Sequence, residues 1–145
     1  MSQFQVTYHV LDQIPQEASE QIGEGLDAAN ARAAPLDEVC PLACLARLPT
    51  NEIIGGAIGR TWGLCCEVQQ VWVQHRYRRQ GIGKQLLREL HRQAEERGCR
   101  TFFLETFSFQ APRLYESLGY EARLELKGFT NGVSKFFMVR ELTSE

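Results

Sequence analysis

The chain has 145 residues, 43% of them hydrophobic, and 16 basic side chains against 18 acidic ones leave a formal net charge of −2. That length fits one compact domain able to bury most of the surface of its unfolded form, and no stretch approaches the roughly 20 apolar residues of a membrane span. The start, MSQFQVTYHV, lacks the basic-then-apolar build of a signal peptide, so a soluble cytoplasmic protein with no membrane partner is expected.

In chain order, QFQVTYHV (3–10) alternates enough to predict a first strand. Pro15 then opens a segment in which Ala18, Ile22, Leu26 and Ala29 fall at helical spacing, predicting one or two short helices loosened by Gly23 and Gly25. LACLARL (42–48) and the run 53–73 supply three strands, with turns at PTNE and near 61–64. Ile82, Leu86, Leu87, Leu90 and Ala94 form one apolar stripe, predicting a helix over 81–97 closed by Gly98. TFFLET (101–106) reads as a strand buried on both faces, so strand 66–73, this helix and strand 100–106 make a βαβ unit. A short helix follows, bearing Ala111, Leu114, Tyr115 and Leu118 on one side and stopped by Gly119. Strands at 120–127 and 134–140 complete the chain, with the hairpin signal Asn131-Gly132 between them. The order implies a mixed α/β sheet.

The five cysteines, at 40, 44, 65, 66 and 99, are odd in number and show no paired C-x-x-C spacing or histidine partner, so they read as small buried apolar residues and no metal is expected. Cys65 and Cys66 point to opposite faces of a strand and do not pair. His75 in the loop and His91 beside Arg92 read as solvated histidines.

Charge is unevenly spread. Residues 1–50 carry seven acids against two bases, whereas residues 75–100 carry eight bases against three acids. The bases crowd around HRYRRQGIGKQLL (75–87), where a strand runs into glycines and then a strong helix, an arrangement that offers backbone N–H groups and a partial positive charge to an anion. Gly81 and Gly83 allow close approach of a phosphate. A Walker A loop fails here, because Arg78 and Gln85 stand where a glycine and a Ser or Thr are needed. A dinucleotide fingerprint fails at Leu86, where it needs its third glycine. Nucleic acid is disfavoured as the anion, since the bases are confined to one loop and helix and no basic run with stacking aromatics crosses the sheet.

What fits is Gln/Arg-x-x-Gly-x-Gly/Ala, here Arg78, Arg79, Gln80, Gly81, Ile82 and Gly83. This resembles the acetyl-CoA-binding motif of the GCN5-related N-acetyltransferase (GNAT) family, and SFQAPRLYESLGY resembles that family's second signature, a short helix bearing a tyrosine followed by Leu-Gly-aromatic. The resemblance covers roughly residues 40–142. It implies a GNAT fold: an α/β protein with a mixed, mostly antiparallel central sheet of six to seven strands, a central βαβ acetyl-CoA-binding unit and flanking helices. By the same resemblance the chain is an N-acetyltransferase that moves an acetyl group from acetyl-CoA to a primary amine by direct attack in a ternary complex.

Acyl transfer from a thioester to an amine requires a deprotonated amine, a stabilised oxyanion, a proton for the departing thiolate and orientation of both substrates. The resemblance supplies a candidate for each. Arg78 to Lys84 would cradle the pyrophosphate of coenzyme A. The backbone of Val71, Trp72 and Val73 would hold the pantetheine arm, with a bulge freeing an N–H for the thioester oxygen. Tyr115 would protonate the thiolate; packing on its short helix is the competing explanation for this tyrosine. Ser108 stands where many members carry an asparagine that contacts the pantetheine or its sulfur. Glu67, six residues before Val73, would take the amine's proton, often through water, and it shares the side of Val71 and Val73 only if no bulge intervenes. Glu105 or a water chain is the substitute base. The acceptor is a small-molecule or peptide amine, with the small molecule ranked first, and its selection falls to residues 15–37 and 127–134. A coenzyme A-binding regulatory module without catalysis is the alternative, and a homodimer is left open.

Overall fold

The computed structural model describes residues 4–143. The chain divides into two compact units, Met1–Asp37 and Glu38–Glu145.

In the first unit, residues 4–10 have no regular secondary structure, so the expected first strand does not form there; its residue 3 lies outside the described residues. Alternation gives a segment two faces, but a strand also needs a neighbouring backbone to bond, and Phe4, Val6, Tyr8 and Val10 stay exposed. The helical segment is one continuous helix, α1 (Gln16–Ala33), none of whose residues is buried. Pro15 before its first turn, Glu17 within that turn and Arg32 in the last turn set its direction and complement its dipole. Gly23 and Gly25 lower its propensity without breaking it.

The second unit is a six-stranded sheet. Its elements are β1 (Cys40–Arg47), β2 (Ile53–Trp62), β3 (Cys65–Val73), α2 (Ile82–Glu96), β4 (Thr101–Phe107), α3 (Pro112–Ser117), β5 (Glu121–Leu126) and β6 (Lys135–Glu141). The strand order is β1-β2-β3-β4-β6-β5, and every neighbouring pair is antiparallel except β3–β4. Asn131 and Gly132 in the β5–β6 connection both take positive φ, 54° and 72°, as the hairpin signal requires.

The stripe on α2 packs against one face of the sheet. Leu86, Leu87, Leu90 and Ala94 join Leu42, Ala57, Cys66, Val68, Phe102, Leu104 and Met138 in one buried cluster. Each fully buried leucine contributes about 1.5–3 kcal/mol by leaving water. His91 departs from expectation: it is 4% exposed, its Nε2 lies 2.7 Å from the Tyr120 hydroxyl, and its ring meets Phe102 edge-on at 4.9 Å. The apolar spacing of α2 includes position 91, one residue from Leu90 and three before Ala94, so the helix turns this histidine into the core. Burial, and secondarily the Arg140 guanidinium, push its pKa down to about 4.

Two features of β3 position the site. Its register against β2 shifts between Ile58 and Gly59, so Gln69 is an extra, bulged residue. Before the bulge Cys66 and Val68 face the core; after it Val71 and Val73 do. The bulge brings the β3 backbone close to β2, and a Cβ at Gly59 would collide with the carbonyl oxygen of Glu67. The second feature is the brevity of the β3–β4 ladder, which holds only at Cys65↔Thr101, Cys66↔Phe102 and Glu67↔Phe103.

Two outcomes are expected. Gly59→Ala should destabilise the protein by about 1–3 kcal/mol in denaturant titration, because the bulge and the added methyl compete for one space. His91 binds its proton more weakly folded than unfolded, so its contribution is complete above about pH 6.5 and is lost as pH falls toward 4. His91→Gln, which keeps a partner for Tyr120 but does not titrate, should flatten the fall in melting temperature between pH 7 and 5.

Candidate active site

Beyond Glu67 and Phe103 the two parallel strands part. β3 continues to pair with β2 through Val73, and β4 continues to pair with β6 through Phe107. The facing edges of Val68–Val73 and Leu104–Phe107 therefore lack each other's hydrogen bonds. A cleft of about 930 Å³ fills this wedge and runs to the glycine loop. An open strand edge of this kind satisfies its N–H and C=O groups by taking an extended ligand as an additional strand.

The loop end of the cleft gathers unpaired backbone N–H groups and basic side chains. Gln74 leads from β3 into a short turn, His75–Tyr77, after which Arg79 takes the left-handed region at φ 64° and Gly81 follows at φ 82°. A left-handed arginine costs about 1–2 kcal/mol, and such alternation of backbone hand turns successive N–H groups toward one point. The first helical bond of α2 runs from Gln85 N–H to the Gly81 carbonyl at 3.0 Å, which leaves the N–H groups of Ile82, Gly83 and Lys84 without an intrahelical acceptor. Arg78 bends back, its Nε donating to the Val73 carbonyl at 2.8 Å, which braces the loop against the strand end. Arg78, Arg79, Gly81, Ile82, Gly83 and Lys84 line the cleft, whereas Gln80 is exposed and lies off its wall.

Val71, Trp72 and Val73 form the β3 wall together with Gln69 and Gln70. The β4 wall carries Glu105 and Thr106 and continues through Phe109, Gln110 and Ala111 to Leu114 and Tyr115 on α3. Tyr115 packs edge-on against Tyr120 at 5.9 Å, and burial pushes its phenol above the ordinary range, so it stays protonated through neutral pH and beyond. Glu105 is paired with Lys135 at 3.0 Å. Phe109 is exposed and stacks on Phe107 at 5.3 Å and 8°, while Phe129 meets Phe107 edge-on at 5.4 Å.

Besides Gln80, two expected site residues lie off the cleft wall. Because the bulge at Gln69 intervenes, Glu67 faces away from the side of Val71 and Val73, half-buried at the apex of the wedge, with Arg60 Nη2 3.2 Å from its carboxylate. Ser108 is bound to the residue just before β6: its Oγ accepts from the Ser134 N–H at 3.0 Å, and its own N–H donates to the Ser134 carbonyl at 2.8 Å. Thr106, Phe109 and Gln110 are site residues without a sequence expectation. The bulge, by contrast, had a readable signal. In CCEVQQVWV the apolar alternation of positions 66 and 68 resumes at 71 and 73, a slip of one residue across Gln69-Gln70.

A parallel strand pair split over a cleft, with a braced glycine loop at one end and a protonated tyrosine on its wall, suits an extended ligand that carries an anionic group. The sequence model of the Acetyltransferase (GNAT) family matches residues 9–120, and the chain belongs to this family. It is therefore an acyltransferase of a family that uses acetyl-CoA and acts on amine acceptors. It is 32% identical over 111 residues, 76% of this chain and 79% of the other, to a blasticidin-S acetyltransferase of Streptomyces morookaense. It is 30% identical over 118 residues, 81% of this chain and 86% of the other, to an acetyltransferase of Agrobacterium fabrum. A crystal structure of an acetyltransferase from Bacillus cereus superposes with a TM-score of 0.78 at 26% identity, over 92% of this chain and 98% of the other.

Proposed function

We propose that this chain moves an acetyl group from acetyl-CoA to a primary amine by direct attack within a ternary complex, with a small molecule as the acceptor. The observation that carries the reading is the wedge between β3 and β4 leading to the glycine loop. Its two parts match the two parts of coenzyme A: an extended amide-bearing arm for the open edge of Val71–Val73, and a pyrophosphate for the N–H groups at the start of α2. Arg79 and Lys84 offer further positive charge there. The thioester supplies the activated acetyl group, and the protein's work is orientation and proton management.

Tyr115 holds a proton that can pass from its hydroxyl to the departing thiolate, and its burial keeps that proton in place at working pH. The proton of the amine passes to a carboxylate, either Glu67 through water at the apex of the wedge or Glu105 directly on the cleft wall. Direct transfer is supported by the cysteines: none of the five lines the cleft, and burial pushes the Cys66 thiol up to about 12. The relative named for blasticidin S favours a small-molecule acceptor over a protein amine.

Acetyl-CoA at 100 times its Kd should stabilise the fold by about 2.7 kcal/mol and raise Tm accordingly. Tyr115→Phe should keep that shift while lowering kcat about 100-fold on an accepted amine, read by thiol release. An unchanged kcat removes the tyrosine from the reaction, and a fold that binds acetyl-CoA yet turns over no amine is a regulatory module. Glu67→Gln and Glu105→Gln, compared across pH, should differ: only the base's removal abolishes the acid limb of the kcat/KM profile. An acid limb that survives both changes excludes carboxylate catalysis.

A further inference from the structure

An aromatic cluster stands beside the end of β4. Phe107, the last residue of that strand, has three such neighbours: the Phe109 ring lies parallel to it at 5.3 Å and 8°, the Phe129 ring meets it edge-on at 5.4 Å, and the Lys135 ammonium sits over it at 5.1 Å. Phe109 gains little by burial, since 69% of it is exposed, yet it lines the cleft. A phenylalanine held in orientation by stacking and left open on the wall of a cleft offers a flat apolar surface to a ligand. On the β3 wall Trp72, 51% exposed, adds a second aromatic side chain. Glu105 stands two residues before Phe107 and so on the same side of β4; its Oε2 meets the Lys135 ammonium at 3.0 Å, and its side chain remains 59% exposed on the cleft wall.

We infer that Phe109 is a specificity residue for the acceptor, its ring stacking on a planar aromatic or heteroaromatic ring of the amine substrate, with the Glu105 carboxylate beside it to meet the amine. This rests on the cleft transferring an acetyl group to an amine, as proposed above. A wholly hydrophilic amine would be served by a carboxylate and water, and it would lose hydration against an exposed phenyl face. A molecule that carries both a flat ring and an amine satisfies both surfaces. Two flat faces also touch over more of their area than a flat face and a puckered ring of equal size. Stacking on Phe107 fixes the Phe109 plane before the ligand arrives, so little rotamer entropy is lost on binding.

The test measures thiol release at saturating acetyl-CoA with benzylamine, 2-phenylethylamine and their saturated counterparts, cyclohexylmethylamine and 2-cyclohexylethylamine, which keep the amine and the size but are not flat. In at least one pair, KM should be about fivefold lower for the aromatic member. Phe109→Leu keeps an apolar side chain at this exposed position. It should raise KM for that aromatic amine to the value of its saturated partner, while Tm and calorimetric affinity for acetyl-CoA stay as in wild type. Phe109→Tyr keeps the ring and should retain the preference. A preference that is absent from wild type, survives Phe109→Leu or disappears in Phe109→Tyr overturns the inference. Weaker acetyl-CoA binding by Phe109→Leu would assign the ring to the carrier and overturns it too. A protein that acetylates spermidine but none of the four amines overturns this inference alone. Wild type that binds no acetyl-CoA, or acetylates none of the five amines, overturns the reading of the cleft and this inference with it.

Discussion

The geometry of the cleft depends on two parallel strands that pair for three residues and then part. Each strand is held by its other neighbour, β3 by β2 and β4 by β6, so neither can swing back to close the wedge without breaking an antiparallel ladder. Under the wedge, α2 packs its leucines against β1, β2 and β3 and fixes the start of the glycine loop relative to the strand edge. Gly59 lets the bulged β3 backbone lie close against β2, so a missing side chain on one strand determines which atoms of another face the cleft.

Electrostatics are local in this molecule. A net charge of −2 conceals a loop where arginines and a lysine surround the N-terminus of a helix. That loop is held by backbone constraint more than by charge: Arg78 is bonded to the Val73 carbonyl, and Arg79 occupies a backbone region that costs a non-glycine residue energy. Burial keeps Tyr115 protonated, and Tyr120 packs against its edge while bonding to the neutral, buried His91. A core contact thus reaches the cleft wall through two aromatic rings.

Much of the second unit is legible in the chain. The stripe on α2, the glycine loop, the apolar β4 and the Asn131-Gly132 turn each follow from local spacing, because period and backbone permissiveness are properties of adjacent residues. Residues 4–10 mislead, since alternation describes faces and says nothing about whether a partner strand exists. His91 misleads because a polar residue beside an arginine reads as solvated until the helix is seen to turn it inward against Phe102 and Tyr120. The slip at Gln69-Gln70 was readable, yet its consequence, that Glu67 faces away from Val71 and Val73, needs the register against β2.

By itself, the sequence determined the strand, glycine loop and helix of the βαβ unit and, through two motifs, the family to which the chain belongs. Both are written in short contiguous segments whose backbone behaviour is set by their own residues. The tertiary structure alone decided which side chains share the cleft. It placed Glu105 and Gln110 on the wall, Glu67 at the apex and Ser108 against Ser134. These placements arise from strand register, a single bulge and the angle at which two strands part, quantities that depend on residues far apart in the chain.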